Sequence, residues 1–246
     1  MDVLSILGLL LALVAVIGGW LVTGGSFETL INGSALMIVL GGTFGAAMVQ
    51  SHISLFAYSL KMMFWVIFPP KLAAKQSIKK IIQWSNIARK EGLLGLENIA
   101  EAEQDLLARK GLQLLVDGNE PEVIKRVMEV EINSKRKHNH DAACVIEAMG
   151  RYSLMVGIVA AVIGLMQITD KISDPDMLSH GIQSALVALA YGLGLAQFVF
   201  LPSANKLKYL VSTQSQIHDM LLEGVLSIAE GENPRNIETK LQGYVL

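Results

Sequence analysis

The chain has 246 residues, of which 52% are apolar and 17% are charged, and its mean hydropathy is +0.46. Soluble domains carry about 25% charged residues, so this composition excludes an ordinary soluble protein and indicates an integral membrane protein. The 20 basic residues against 22 acidic ones leave no basic excess for nucleic-acid binding, and a single cysteine, Cys144, excludes an intramolecular disulfide.

The first 50 residues predict a hairpin of two membrane-spanning helices. Val3–Val22 is uncharged over about 20 positions, enough to cross the hydrocarbon layer of a bilayer as a helix. A cleavable signal peptide is the competing interpretation, but only Met1 and Asp2 precede the apolar run, with no basic segment. A short polar turn then leads to a second uncharged run, Gly33–Gln50.

Residues 51–150 carry most of the basic side chains and predict a helical cytoplasmic domain. The first part, residues 51–70, is interpreted as an interfacial helix or an extension of the second span, and Pro69-Pro70 ends it. The spacing of apolar residues, with a proline suited to open a helix, predicts three further helices, over Leu72–Arg89, Glu101–Leu115 and Pro121 to about Asn133.

Residues 151–202 predict a second membrane hairpin, with uncharged spans over Ser153–Thr169 and Ile182–Leu201. Asp-Pro and glycine between these spans indicate a tight connection. Residues 203–246 predict a helical cytoplasmic segment. The predicted fold class is therefore an all-α integral membrane protein, with four transmembrane helices in two hairpins and a helical cytoplasmic domain.

The distribution of basic residues predicts the orientation of the spans. Of the 20 lysines and arginines, all except Lys171 lie between the second and third spans or after the fourth. Basic residues are retained on the cytoplasmic side of a membrane. Both hairpin connections are therefore expected outside, and both termini in the cytoplasm.

The sequence contains no motif typical of a catalytic or nucleotide-binding site, such as a P-loop, GxSxG, HExxH or CxxC. His138 and His140 are too few to ligate a metal ion. The acidic residues near the third span are interpreted as parts of a polar turn: Asp170, Asp174 and Asp176. We therefore expect neither an enzyme nor a bound cofactor.

None of the four spans has an aspartate, glutamate, lysine, arginine or histidine in its interior. Ion-conducting proteins usually carry an intramembrane carboxylate, because a translocated ion must be bound and released. Either this chain moves no ions, or a partner supplies the carboxylate. Glycines at helix-packing intervals, Gly41 with Gly45 and Gly157 with Gly164, predict close helix contacts, either within this chain or with partner helices.

Seven segments carry a resemblance that covers essentially the whole chain. They are MDVLSILGL, LINGSALMIVLGGTFGA, WSNIARKEGLLGLENIAEAE, RKGLQLLVDGNEPE, GIVAAVIGL, YGLGLAQFVFLPSANKL and LLEGVLSIAEGENPRNIETKLQGYVL. In this order they resemble the MotA/PomA family of bacterial flagellar stator proteins, most closely its MotC-type branch. The resemblance implies an inner-membrane, ion-driven rotary motor in which a pentamer of such chains surrounds two single-span MotB-type partners. The partner would supply the membrane aspartate.

The resemblance also implies a contact with the rotor protein FliG. The family motif ARKxGxxxLE assigns this contact to Arg89, Lys90 and Glu97. The last two would lie nearly on one side if a helix continued through Gly92 and Gly95. The alternative interpretation of these charges is an ion pair within the chain on a solvated face.

A second set of residues is expected along the ion path or facing the partner, by the same resemblance: Leu154, Gly157, Ala161, Gly164, Ala188, Tyr191 and Pro202. Leu154 stands where relatives usually have a proline, and the threonine common before Tyr191-Gly192 is missing. Sodium-using relatives place hydroxyl groups at positions matching Ala161 and roughly Ala188 or Leu189. Alanine and leucine offer no side-chain oxygen for Na⁺, so the resemblance favours protons.

Two alternatives accompany the stator hypothesis. An energiser of the ExbB/TolQ type would drive an outer-membrane process, but such proteins have three spans rather than four. A stator-like scaffold with weakened conduction would explain Leu154 and the missing threonine.

Overall fold

The computed structural model describes residues 2–70, 74–169 and 175–244, and every regular element in these ranges is helical. The α-helices are α1 (Val3–Val22), α2 (Phe27–Leu30), α3 (Gly33–Gln50), α4 (Ile53–Met62), α5 (Ala74–Glu91), α6 (Glu97–Ala102), α7 (Leu106–Val116), α8 (Pro121–Ile168), α9 (Pro175–Gly194), α10 (Leu201–Ala229) and α11 (Pro234–Gln242). Two 3₁₀ turns (Met63–Val66 and Leu93–Leu96) and a π-helical segment (Leu195–Phe200) join some of them.

The chain divides into two compact units. The first comprises Met1–Pro69 and His140–Tyr209, and the second Pro70–Asn139 and Leu210–Leu246. Among the described residues, four helical stretches are long and apolar enough to cross a membrane: Val3–Val22, Gly33–Gln50, Pro121–Ile168 and Met177–Ala229. The predicted fold class is confirmed. Lys171, Asp170 and Asp174 lie outside the described residues.

The third and fourth spans are parts of much longer helices than the sequence analysis predicts. The helix that starts at Pro121 was expected to end near Asn133, but α8 continues for 48 residues to Ile168. No proline interrupts residues 122–168, and the first glycine is Gly150, so nothing in the backbone forces a stop. The cluster of charges around His138 therefore belongs to a helix that becomes the third span.

Two other expected helices differ from the observed ones. Glu101–Leu115 is not one helix, because α6 ends at Ala102 and Asp105 caps α7 by accepting hydrogen bonds from the N–H groups of Leu107 and Ala108 at 2.9 and 3.2 Å. Residues 51–70 do not extend the second span, because Ser51 and His52 have extended backbone between α3 and α4.

The second unit is a helical bundle around one apolar core. Gly111 of α7 allows close packing, since a Cβ there would lie 3.1 Å from side-chain atoms of both Met128 in α8 and Val225 in α10. Gly224 similarly receives Ile81 of α5. The fully buried core residues include Ile81, Leu96, Leu112, Leu115, Ile124, Met128, Met220, Val225, Ile237 and Leu241.

Ion pairs join the helices of this unit at its surface. Glu103 is 7% exposed and accepts two hydrogen bonds of 2.8 Å from the Lys80 ammonium. Burial opposes ionisation of Glu103, but the bonds from Lys80 and from the N–H groups of Asp105 and Gln104 outweigh it and hold its pKa below the usual range. Further pairs join Lys110 to Glu131, Arg136 to Asp219, and Lys240 to Glu223.

Acidification is expected to weaken this unit through His218. Burial, helped by the positive charges of Lys135 and Arg136, lowers the pKa of His218 from 6.5, although Asp105 and Asp219 act in the opposite direction. The unfolded chain therefore binds a proton before the folded one does. Stability is full above pH 6.5 and falls as the pH drops from there toward the folded-state pKa.

The measurement is thermal unfolding of the purified chain in detergent, followed by circular dichroism at pH values of about 8 and 5.5. His218→Gln should lose less stability on acidification than the unsubstituted protein. His52→Gln, a change at an exposed histidine of the first unit, is the control and should keep the full pH dependence. An unchanged pH response in His218→Gln would contradict the assignment.

Candidate functional site

The third and fourth spans approach each other through two glycines. A Cβ on Gly157 would lie 2.8 Å from the Cα of Gly192, and a Cβ on Gly192 would lie 2.7 Å from both the Cα of Gly157 and the carbonyl oxygen of Ser153. The Ser153 hydroxyl donates to the Gly192 carbonyl at 3.1 Å. Gly164 meets Ala185 two turns further along the pair, and a Cβ on Gly164 would lie 3.2 Å from the Cβ of Ala185. Backbone therefore packs directly on backbone.

The second span packs on the same pair of helices. Ala35 and Val39 of α3 form an apolar cluster with Ala160 and Ala188, and Tyr191 and Leu195 lie against it. By contrast, Gly41 and Gly45 of α3 are exposed, and a Cβ on either would contact nothing within 4 Å. The chain's own described helices therefore do not use the Gly41–Gly45 pair.

A polar network ties α9 to the connection before α3. The Tyr191 hydroxyl donates to the Leu30 carbonyl and accepts a 3.1 Å hydrogen bond from the Asn32 N–H. The Asn32 side chain donates to the Ser184 hydroxyl at 2.6 Å and also caps α3 by accepting from the Ala35 N–H. Asn32 and Ser184 were not expected at this site. The only sequence signal was Asn32, a capping residue type immediately before an apolar run.

Tyr191→Phe is expected to destabilise the first unit by about 1–2 kcal/mol, because it removes the hydroxyl and leaves the Leu30 carbonyl and Asn32 N–H without their partner. Unfolding of the detergent-solubilised protein measures the effect. Tyr152→Phe removes a hydroxyl that donates to Gln50 in an exposed position, and serves as the control. Equal losses of stability in the two variants would show that the bonds of Tyr191 contribute no more than an exposed hydrogen bond does.

The residues expected along an ion path lie in three environments. Gly157, Gly164, Ala188 and Tyr191 contact other helices of this chain. Leu154 and Ala161 are half-buried on α8, which continues through both positions without interruption. Pro202 is exposed.

Pro202 lies in the first turn of α10, directly after the π-helical segment. A proline ring clashes with the carbonyl four residues earlier, and here that residue, Phe198, lies within the π-helical segment. The wider π turn therefore accommodates the proline without ending the helix. The sequence analysis did not predict the π segment.

Lys206 connects three separate parts of the first unit. Its ammonium donates to the Asp2 carboxylate, to the Ser5 hydroxyl and, at 2.9 Å, to the Val66 carbonyl. The hydrogen bond from Lys206 lowers the pKa of Asp2. The Asp2 N–H in turn donates to the Ile67 carbonyl at 2.9 Å. The start of α1 is thereby fixed against α10 and the segment after α4.

The segment 89–97, called the charged turn below, lies in the second unit. α5 ends at Glu91, Gly92 has a φ of +77°, the 3₁₀ turn Leu93–Leu96 follows, and Glu97 opens α6. Lys90 and Glu97 are therefore not on one continuous helix, so the condition under which a helix would place them on one side is not met. Gly92 is the reason, because its backbone, at φ +77° and ψ 175°, leaves the helical region in a conformation that residues with a Cβ rarely adopt.

Arg89, Lys90 and Glu97 are all exposed. Within the described ranges, no salt bridge or side-chain hydrogen bond involves any of the three, so the alternative of an ion pair within the chain has no support there. Arg89 also lines a shallow cleft of about 240 Å³ beside Leu93 and Glu232. The turn thus offers charges of both signs for contact with another molecule.

Comparisons with known proteins agree over the whole length. Residues 6–92 match the family model "Motility protein A N-terminal", and residues 99–220 match "MotA/TolQ/ExbB proton channel family". Motility protein A of Bacillus subtilis is 32% identical over 247 residues, covering 100% of this chain and 91% of the relative.

The solved structures that are similar to this fold include two of MotAB complexes. A chain of the Campylobacter jejuni MotAB structure has a TM-score of 0.95 at 28% identity, covering 100% of this chain and 96% of that one. A chain of the flagellar MotAB stator complex from Bacillus subtilis has a TM-score of 0.89 at 32% identity, with 98% and 96% covered.

Proposed function

This chain belongs to the Motility protein A branch of the MotA/TolQ/ExbB proton channel family, and we propose that it is a stator subunit of the bacterial flagellar motor. The observation that carries the proposal is the full-length likeness to chains of solved MotAB complexes, one of them described as a flagellar stator complex. The protein converts ion-motive force into rotation and is no enzyme. It lies in the bacterial inner membrane with both termini in the cytoplasm.

The ion-binding carboxylate comes from a single-span partner of the MotB type. The four predicted spans of this chain have no aspartate, glutamate, lysine, arginine or histidine in their interior, and conduction requires a group that binds and releases the ion. The open space beside Gly41 and Gly45 supports close approach of a helix from another chain. Five copies of this chain surround two partners.

The transported ion is a proton. Ala161, Ala188 and Leu189 offer no side-chain oxygen to replace the hydration shell of Na⁺. One charge crossing a potential of 100 mV releases about 2.3 kcal/mol, so rotation proceeds in many small steps. Leu154, Gly157, Ala161, Gly164, Ala188, Tyr191 and Pro202 line the ion path, face the partner or position the helices that do so.

The charged turn transmits the rotation to the rotor protein FliG through Arg89, Lys90 and Glu97. These three side chains are exposed and have no partner within the described ranges of this chain. Individual exposed ion pairs contribute only about 0–1 kcal/mol. Such contacts form and break quickly, as repeated steps along a rotor require.

The test of this proposal is co-expression of the chain with the single-span partners of its own bacterium, followed by native mass spectrometry and a swimming assay. A complex of five chains and two partners that restores swimming to a strain lacking its stator is the expected result. A different stoichiometry with a TonB-like partner would instead identify an energiser of the ExbB/TolQ type.

A second candidate function is a stator-like scaffold with weakened conduction. The observation that favours it is Leu154, which replaces the proline of relatives in a helix that the structure shows unbroken from Pro121 to Ile168. Leu154→Pro, tested in the swimming assay, separates the two functions. Faster swimming would indicate that Leu154 weakens the motor, whereas loss of swimming would indicate a motor that works with an unbroken helix.

A further inference from the structure

The charged turn presents one large apolar side chain to solvent. Leu94 is 71% exposed, whereas Leu96 of the same 3₁₀ turn is fully buried and Leu93 packs against the core of the second unit. Two leucines thus hold the turn to the bundle while the third points outward. The function proposed above, which relies on charges alone, gives Leu94 no role.

The backbone around Leu94 packs closely against the end of α5. A Cβ on Gly95 would lie 2.7 Å from the Cβ of Glu91 and 3.3 Å from a methyl group of Ile87, so the turn packs directly on the end of α5. The Gly95 N–H also donates to the Gly92 carbonyl at 3.1 Å. A side chain on a preformed backbone loses little conformational entropy when it binds a partner.

Several neighbours of Leu94 along the chain are charged and exposed to solvent. Arg89, Lys90, Glu91 and Glu97 are exposed, and none of them forms a salt bridge within the described ranges. Elsewhere in the second unit some charges are paired, such as Lys80 with Glu103, and others, such as Lys125 and Arg126, are exposed without a salt bridge in the described ranges. An exposed leucine next to unpaired charges of both signs has the composition of a small protein contact, with an apolar centre and a polar rim.

We propose that Leu94 is the apolar anchor of the rotor-contacting surface and inserts into an apolar pocket on the rotor protein, with side chains of both charge signs at its rim. This inference rests on the proposed function. The mixed charges favour a protein over an anionic lipid surface, because Glu91 and Glu97 oppose attraction to lipid phosphates. Leu94 supplies contact energy that salt does not screen, and the charges supply orientation.

The test compares Leu94→Asn with Leu106→Asn in the full chain, co-purified with its single-span partner. Leu106 begins α7 in the same unit and is 73% exposed, so it matches Leu94 in residue type and exposure. The binding probe is purified FliG from the same bacterium, and swimming is measured in parallel. Leu94→Asn should weaken FliG binding by about tenfold, and Leu106→Asn should leave it unchanged.

The salt dependence of FliG binding distinguishes the contribution of Leu94 from that of the charged side chains. Between about 0.05 and 0.5 M salt, the tenfold difference caused by Leu94→Asn should persist, whereas the effect of Arg89→Gln with Lys90→Gln should shrink as screening increases. An unchanged affinity for Leu94→Asn, or equal losses for Leu94→Asn and Leu106→Asn, would overturn the inference.

Failure of the inference and failure of the proposed function give different results. If the unsubstituted complex neither binds FliG nor supports swimming, the proposed function fails. If it does both and only the charge variants weaken binding, the inference alone fails. Dissociation of Leu94→Asn into smaller assemblies in native mass spectrometry would show that a second copy of this chain covers Leu94, which also overturns the inference.

Discussion

Replacement of Gly192 by alanine is expected to abolish swimming and to destabilise the first unit by about 1–3 kcal/mol or more. The added methyl group would lie 2.7 Å from the Cα of Gly157 and from the Ser153 carbonyl oxygen. These are backbone atoms, so no side-chain rotation can make room. The third and fourth spans would have to separate, which would break the hydrogen bond from Ser153 to Gly192.

Gly194→Ala is the matched control for this prediction. Gly194 belongs to the same helix, two residues further on, and a Cβ there meets nothing within 4 Å. Alanine is the better helix former by about 1 kcal/mol, so this variant should be as stable as the unsubstituted protein or more so. Detergent unfolding and native mass spectrometry measure both variants. Normal assembly and swimming of Gly192→Ala would show that the contact between the spans is looser than the structure indicates.

Reversal of two charges on the charged turn, Arg89→Glu with Lys90→Glu, is expected to reduce swimming by about tenfold or more while leaving folding and assembly intact. Both side chains are exposed and have no salt bridge within the described ranges, so their replacement removes no contact that holds the second unit together. In the proposed contact with the rotor, however, each attraction would become a repulsion.

Lys125→Glu with Arg126→Glu is the control. These residues form another adjacent, exposed basic pair, on α8 of the same unit, and they change the net charge equally. The control should swim normally. Swimming speed and FliG binding are measured for both double variants, with subunit counts from native mass spectrometry to verify assembly. Equal losses in both would mean that net charge, rather than the position of Arg89 and Lys90, governs the contact.

Much of the membrane part was predictable because apolar length alone constrains a span. Val3–Val22 and Gly33–Gln50 were predicted with the bounds that α1 and α3 have, since backbone groups in hydrocarbon must be paired within a helix. The same rule could not locate the end of α8. A charged segment after Asn133 is compatible with a loop or with a solvated helix. Packing in the bundle selects the helix.

Candidate site residues could be proposed from the sequence, but their geometry could not. The motif around Arg89, Lys90 and Glu97 was visible in the sequence, yet the break at Gly92 depends on a positive φ that glycine permits and does not enforce. Likewise, the small residues Gly157 and Gly192 were visible, but their mutual contact was not. Tyr191 was expected for its place in a motif, while its bonds to Leu30 and Asn32 join positions far apart in sequence.

The sequence by itself determined that this is a membrane protein and where its four spans lie, because these follow from composition and local periodicity. Tertiary structure alone decided which glycines contact another helix of the same chain and which have open space beside them. It also decided which charged side chains form ion pairs. Glycine and lysine carry no local signal for their partners. Those outcomes depend on distances between residues remote in sequence, which packing of the whole chain sets.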